Sequence, residues 1–229
     1  MDFAPKFENK ELSRETTDTT KEWQERIKLS DDMDKWQNSL NLTDDIENTP
    51  ILTNEKRDID FSQYEEAKQV ERVVEYINSL SDIKHENWIN LSVSERINII
   101  QKIEIQAAKA GCRTALTVET APMSANDLGC MDWKNQKIIM NERLIISNDV
   151  DEFRQCIKTL IHEGRHAYQY SNVSIERNEP NAEKYQSWVI NLATGYCAAK
   201  LLGLKRYYLQ PLEVDARVFS ESVVSKIKL

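Results

Sequence analysis

In the stretch Leu160-Ile161-His162-Glu163-Gly164-Arg165-His166, two histidines stand four residues apart and a glutamate directly follows the first. Four residues make about one turn of an α-helix, so on a helix both imidazoles leave the same face and can converge on one metal ion. Glu163 points slightly off that axis, where its carboxylate can take a proton from a water on the metal without binding the metal. The stretch therefore predicts most of a catalytic zinc site.

The residues around this stretch favour a helix. Residues 151–170 contain no proline, and an apolar stripe follows helical spacing through Phe153, Ile157, Leu160, Ile161, Gly164 and Ala167. A second, polar stripe consists of Thr159, His162, His166 and Gln169. Asn148 with Asp149 or Asp151 offers the capping side chain at the N-terminal end. One apolar and one metal-capable face are what a site at the edge of a core requires.

The alternative interpretation is an ordinary surface helix whose two histidines face solvent. The chain has only three histidines, His85, His162 and His166, and two of them lie in this array. That concentration, together with the helical context, favours a metal site over a chance match to a short motif.

A third ligand is needed, because a catalytic zinc site commonly takes three protein ligands and leaves the fourth position to water. His85 lies far upstream, so a carboxylate is the better candidate. Residues 210–220 are the best source, since Pro211 suits the first turn of a helix. A core-facing stripe follows it at Leu212, Ala216, Phe219 and Val223. Glu213 lies next to that stripe, at the rim.

At this point the chain resembles the glutamate-ligand zincin metallopeptidases, the gluzincins. These carry His-Glu-x-x-His on one helix and, on a later helix, a ligand Glu with Ala three residues on. The spacing of Glu213 and Ala216, followed by Phe219 and Ser220, looks like that of compact bacterial zincins that cleave phage and mobile-element repressors. The chain is also similar to small zincin domains of bacterial toxins and effectors. The resemblance covers about residue 114 to the C-terminus.

The resemblance implies a zinc-dependent peptidase that hydrolyses peptide bonds of a protein substrate. By position, His162, His166 and Glu213 bind Zn²⁺ and Glu163 is the general base. The implied fold is zincin-like: helix-rich α+β, with a small mixed β-sheet and one metal-binding helix.

One position departs from the family pattern. Thermolysin-like members place an Asp four residues after the ligand Glu to orient a histidine, and here that position is Arg217. Asp215 either takes that orienting role or is itself the third ligand. The spacing to Ala216 favours Glu213 as the ligand.

The charge distribution divides the chain. The formal charge is −8, and residues 1–60 hold 16 acidic and 9 basic side chains, so −7 of it lies there. We predict an acidic N-terminal arm over residues 1–58, partly disordered or forming a docking helix that binds a partner protein, and a zincin-like metallopeptidase domain over residues 59–229. Nucleic-acid binding is disfavoured, because no basic stripe is present to neutralise phosphates.

The hydropathy of the chain bears on whether it crosses a membrane and on where in the cell it is expected. A mean hydropathy of −0.61 and the lack of an apolar run near 18 residues argue against a transmembrane helix. The opening residues lack the apolar stretch of a secretory signal, so we predict a cytoplasmic protein, or one exported or delivered into a host by another route. Four cysteines without Cys-x-x-Cys spacing predict reduced thiols, with Cys156 and Cys197 buried.

Other patterns predict the scaffold around the metal helix. Helices are expected over residues 60–81 and over residues 92–111, where Ser92 and Glu95 form a capping-box pattern. A strand is expected over residues 113–119, and a hairpin joins residues 129–133 to residues 136–141. A later helix ends near Gly203 and carries an aromatic stripe that we assign to the core.

Two further groups are candidates for the chemistry. Zincins usually hold an extended substrate against an edge strand, and we expect that edge to be formed by Lys137, Ile138, Ile139 and Met140. The alternative is an interior strand, in which the last three are core. Tyr207 or Tyr208, just before the Glu213 helix, is a candidate donor to a developing oxyanion, or it only caps the core.

Two functions of other kinds stay open at this point. One is a zincin-fold interaction protein or effector without relevant proteolysis, which has no need to retain zinc. The other is a zinc amidase that acts on non-protein amides, which a comparison of denatured proteins with amide-bearing polymers separates from a peptidase.

Overall fold

The computed structural model describes residues 65–175, 177–196 and 203–229. The first part holds α1 (Glu66–Ser79), a 3₁₀ turn (Ser81–Ile83), α2 (His85–Trp88) and α3 (Val93–Ala110). Three strands follow: β1 (Thr117–Ala121), β2 (Gly129–Asp132) and β3 (Lys137–Asn141). The rest is helical, with α4 (Glu142–Ile146), α5 (Val150–Ser174), α6 (Ala182–Ala193), α7 (Leu204–Tyr208) and α8 (Pro211–Val224). The described residues form a helix-rich α+β arrangement with a small mixed sheet, as the sequence predicts.

The ends of the long helices follow local capping chemistry. The Asp149 carboxylate accepts the backbone N–H groups of Asp151 and Glu152 at 2.9 Å each, which satisfies two donors that the first turn of α5 leaves open. Ser92 and Glu95 form the reciprocal capping box at the start of α3. Pro211 occupies the first turn of α8, where its missing N–H costs nothing. All three signals were read correctly from the sequence.

The sheet has the strand order β1-β3-β2, with β1 parallel and β2 antiparallel to β3. The predicted hairpin is therefore present between β2 and β3. The predicted strand over residues 113–119 begins later, at Thr117, because the preceding residues are held by α3. Arg113 makes a bidentate ion pair with Glu104, at 2.6 and 2.9 Å, and Glu104 also accepts the backbone N–H of Leu116 at 2.9 Å.

The expected substrate edge at Lys137, Ile138, Ile139 and Met140 is wrong. These residues form β3, the central strand, whose backbone groups pair with β1 on one side and β2 on the other. A central strand has no free row of N–H and C=O groups to offer an extended peptide. Ile138 and Met140 are fully buried in the core, and Lys137 pairs with Glu119 on the outer face at 2.6 Å.

Helix α5 is the central element of the described chain, because it packs against the sheet, α3 and α8. Its apolar stripe is buried as predicted: Phe153, Ile157, Leu160 and Ile161 are at most 1% exposed. Phe153 stacks on Trp88 with ring centroids 4.1 Å apart. Each fully buried side chain of this kind contributes about 1.5–3 kcal/mol to folding. The core thus anchors one face of α5 and leaves its polar stripe at the rim.

Some predictions fall outside the described residues. The N-terminal arm over residues 1–58, the start of the first predicted helix, the C-terminal end of the helix expected to run to Gly203, and Cys197 lie there. Among the described cysteines, Cys156 is buried as predicted and is a free thiol. None of the helices described for this chain combines the length and apolar character that crossing a bilayer requires.

Candidate metal centre

Three side chains from two helices meet at the rim of the core. His162 and His166 leave the same face of α5, one turn apart, and their Nε2 atoms lie 3.1 Å from each other. Glu213, in the first turn of α8, brings one carboxylate oxygen to 3.4 Å from His162 Nε2 and the other to 3.3 Å from His166 Nε2. Among the described residues, these three can together hold a metal ion, and His162, His166 and Glu213 are therefore called the metal-binding group.

The spacing of these donor atoms is close to that around zinc. A tetrahedral Zn²⁺ with bonds of about 2.0–2.1 Å keeps its ligand atoms about 3.3–3.4 Å apart. The two Nε2 atoms lie 3.1 Å apart, and each lies 3.4 or 3.3 Å from a different oxygen of the Glu213 carboxylate. Two imidazole nitrogens and one carboxylate oxygen are also a donor set that zinc accepts, and they leave a fourth position open.

The protonation states of the three groups are coupled. Glu213 is only 1% exposed, and burial alone opposes its ionisation. Hydrogen bonds from His162 and His166 nevertheless hold the pKa of Glu213 well below its usual range. Burial likewise opposes the charged form of His166, but the hydrogen bond to Glu213 and the charges of Glu163 and Glu213 raise its pKa to about 9. A proton on His166 therefore balances the carboxylates when no metal does.

Glu163 lies on α5 between the two histidines and is 8% exposed. Burial is the largest cause of the raised pKa of the Cys130 thiol on β2, and the charge of Glu163 is the next. The charge of Glu163 is also among the smaller causes that raise the pKa of Tyr207, after burial and hydrogen bonding to Glu213. It also raises the pKa of His166. Glu163 is thus a buried carboxylate in the same helical turn as His162 and His166.

Of the two tyrosines expected here, the structure brings one to the group. Burial and hydrogen bonding to Glu213 raise the pKa of Tyr207. Tyr208 is 47% exposed, and the Arg217 guanidinium lies 5.1 Å above its ring, so it belongs to the surface rather than to the site.

Sequence reasoning missed a third tyrosine. Tyr196 donates its hydroxyl to the Glu213 Oε1 atom, and its ring centroid lies 6.4 Å from that of Tyr207. Burial and the charge of Glu213 raise its pKa strongly. The aromatic stripe predicts a helix that continues through Tyr196, but α6 ends at Ala193 and Gly195 has a φ of 104°. That glycine was the available signal, because a positive φ turns the chain out of the helix.

Asp215 does not join the metal-binding group. Its carboxylate accepts from Arg165 Nε at 2.8 Å and from Gln169 Nε2 at 2.7 Å, and it pairs with Lys184 at 2.7 Å. Arg165 Nη2 also donates to Oδ1 at 3.2 Å, so four contacts occupy the four lone-pair positions of the carboxylate and none is free for a metal. Its relation to the histidines is indirect, since Gln169 stands between Asp215 and His166.

The edge strand next to this site is β2. No strand in the described part of the chain pairs with its outer edge. The far edge of β1 is occupied by a side chain, because Gln101 accepts from Val118 N at 2.8 Å and donates to Leu116 O at 2.9 Å. Strand β2 also lies close to α5: a Cβ on Gly129 would come within 2.8 Å of Thr159 Cγ2.

A small, partly open surface recess adjoins β2. Its lining includes Met131 of β2 and, from the C-terminal half of α5 onward, Ala167, Tyr170 and Ile175. Tyr170 follows His166 by one helical turn, so the recess begins on the same stretch of helix as the metal-binding group.

Comparisons of this chain with protein-family models, with curated proteins and with solved structures find no match.

Proposed function

We propose that this protein is a zinc-dependent metallopeptidase with a zincin-like catalytic domain, in which His162, His166 and Glu213 bind the metal. The observation that carries the proposal is the convergence of the two Nε2 atoms, 3.1 Å apart, on the buried Glu213 carboxylate, one oxygen of which lies 3.4 Å from His162 and the other 3.3 Å from His166. Two imidazole nitrogens and a carboxylate at this spacing are a donor set that suits Zn²⁺.

Zinc bound by these residues would lower the pKa of a water to near 7 and polarise a carbonyl oxygen. In the proposed mechanism Glu163 takes the proton of the attacking water and returns it to the leaving amine. Tyr207 and Tyr196 both direct phenol groups toward Glu213, where one of them can donate to the oxyanion as charge develops. Their raised pKa values keep both phenols protonated and therefore able to donate.

The proposed substrate is a protein or peptide bound in an extended form. The outer edge of β2 supplies the backbone groups for pairing, in place of the β3 residues expected from the sequence. A side chain of the same peptide would contact Met131 and Tyr170 at the mouth of the recess. In this proposal the metal ligands and the base supply the chemistry, and the edge of β2 positions the peptide.

The test combines metal content with turnover. We expect about one equivalent of zinc in the purified parent protein, and loss of zinc in the His162→Ala and Glu213→Ala variants. Glu163→Gln should keep the zinc and lose cleavage of a denatured-protein and peptide library, read by mass spectrometry. Glu142→Gln, an exposed glutamate at the start of α4, is the matched control and should cleave like the parent.

Each other function gives a different result. A folded parent that holds no zinc at micromolar metal is an interaction protein, and the proposal is then wrong. A parent that holds zinc but hydrolyses only amide-bearing polymers is an amidase. Cleavage by Glu163→Gln at the parental rate removes Glu163 from the mechanism.

A further inference from the structure

Gln169, the last member of the polar stripe on α5, contacts His166 directly. Its Oε1 atom lies 2.8 Å from His166 Nδ1, the ring nitrogen that points away from the metal-binding group. The side chain is 1% exposed, so water does not compete for this contact. The helical spacing predicts that Gln169 lies on the same face as His162 and His166, but it does not indicate a function for this residue.

The orientation of the Gln169 amide follows from its other partners. Its Nε2 group donates to the backbone oxygen of Leu212 at 3.0 Å and to Asp215 Oδ2 at 2.7 Å. A carbonyl and an ionised carboxylate can only accept hydrogen bonds, so the NH₂ end must face them and the oxygen must face His166. An amide oxygen also only accepts, so His166 Nδ1 must carry the hydrogen. Nε2 is then the nitrogen that faces Glu213 and His162, and it can exchange its proton for a metal ion.

The Asp215 carboxylate, which orients the Gln169 amide, is itself held by the buried guanidinium of Arg165. Arg165 donates to both oxygens of Asp215, at 2.8 and 3.2 Å, and is 1% exposed. Its guanidinium carbon lies 4.5 Å from the ring centroids of both Tyr168 and Phe219, which fixes its position. Although burial opposes ionisation, Arg165 and Lys184 keep the pKa of Asp215 below its usual value. Asp215 therefore remains an acceptor at neutral pH.

We infer that Gln169 is a positioning residue of the metal site: it fixes the ring orientation and the Nδ1–H form of His166, while Asp215 and Arg165 act on the metal ligand only through it. The inference rests on the proposed metal site and deepens it. It also gives Gln169 the role of orienting a histidine ligand, which the sequence analysis offered to Asp215. Partners of this kind typically change metal affinity by about 10–100-fold when they are removed.

The first experiment replaces the Gln169 amide by an apolar side chain of similar volume. Gln169→Met should weaken zinc binding by about 10–100-fold, measured by competition with a chromogenic chelator on the folded protein. The matched control is Asn172→Leu, which removes another buried amide from α5. Asn172 bonds to Tyr168 O and to the backbone N–H groups of Asn178 and Glu179, but to neither histidine. Both variants should lose thermal stability, and only Gln169→Met should lose zinc affinity.

A second variant separates positioning from stability. Gln169→Glu keeps an oxygen that accepts from Nδ1–H but loses both donors and places a carboxylate beside Asp215. We expect it to be less stable than the parent and yet to bind zinc within about 3-fold of the parental affinity, because the acceptor governs the His166 ring. If Gln169→Glu binds as weakly as Gln169→Met, the acceptor is not what matters and the inference is wrong.

The ring proton of His166 provides a readout that needs neither zinc nor activity. In the parent, the Nδ1–H resonance should exchange slowly with water, with or without zinc, and in Gln169→Met it should exchange rapidly. If the parent binds no zinc, the proposed function fails while this measurement still tests Gln169. A parental ring proton that exchanges as fast as that of Gln169→Met overturns the positioning role, as does unchanged zinc affinity in Gln169→Met.

Discussion

Two clusters of buried charge join α5 to α8, and they are balanced in different ways. In one, Arg165 and Lys184 pair with the carboxylates of Asp215, Glu66 and Glu179, so the countercharge is built into the chain. In the other, Glu213 faces His162 and His166, and the countercharge within the chain is a proton on His166, which can leave. The counterions of the first cluster are therefore fixed, whereas that of the second is exchangeable. This difference makes the second cluster the better candidate for binding a cation.

Arg165→Met should have the largest effect on stability. It leaves Asp215 buried with only Lys184 as a charged partner, and breaking a buried pair in this way costs about 3–5 kcal/mol. The free energy of unfolding in urea measures the loss. Lys158→Met, which removes a surface pair with Glu221, is the control and should change stability by less than about 1 kcal/mol. A cost below 1 kcal/mol for Arg165→Met means that the first cluster does not hold α5 and α8 together.

The pH dependence of the metal-free protein is the next largest effect and probes the second cluster. The pKa of His166 rises from 6.5 to about 9 on folding, so its contribution is complete below pH 6.5 and is lost as the pH rises through 9. A shift of this size corresponds to on the order of 3 kcal/mol of stability. Urea unfolding of the metal-free protein between pH 6 and 10 should show this alkaline loss.

The His166→Gln variant controls for other groups that titrate in the same range, and it should show a smaller alkaline loss than the parent. Saturating zinc should also reduce the loss, because the metal replaces the proton as counterion. A parent whose stability is constant from pH 6 to 10 contradicts the view that the second cluster depends on an exchangeable cation.

The two clusters also differ in how far the sequence revealed them. His162 and His166 are related by one helical turn, so their spacing alone brings them together. Glu213 is favoured because Pro211 and the apolar stripe predict α8 from local pattern, and because its spacing to Ala216 resembles that of the gluzincins. The contacts of Asp215 with Arg165 and of Gln169 with Leu212 span 50 and 43 residues, and helical spacing carries no information about such pairs.

The sheet shows the same limit. The alternation of residues 129–141 predicted two strands and a hairpin, and both are present. Which strand lies at the edge depends on where β1 pairs, and β1 enters the sheet parallel to β3 across a connection of 15 residues. Lys137, Ile138, Ile139 and Met140 were assigned to an edge because local pattern does not fix strand order. Tyr196 was missed because the end of α6 was placed too late.

The smallest expected effect is that of replacing Lys184, which belongs to the first cluster. Lys184 pairs with Asp215 and Glu66, but it is 23% exposed, so Lys184→Met should cost about 0.5–1 kcal/mol. Zinc affinity should stay within about 2-fold of the parent, because Arg165 still keeps Asp215 ionised and the Gln169 amide still faces His166. Urea unfolding and chelator competition on the same preparation measure both quantities. If Lys184→Met weakens zinc binding as much as Gln169→Met does, the charge of the first cluster reaches the metal ligands directly, and the two clusters form one electrostatic unit.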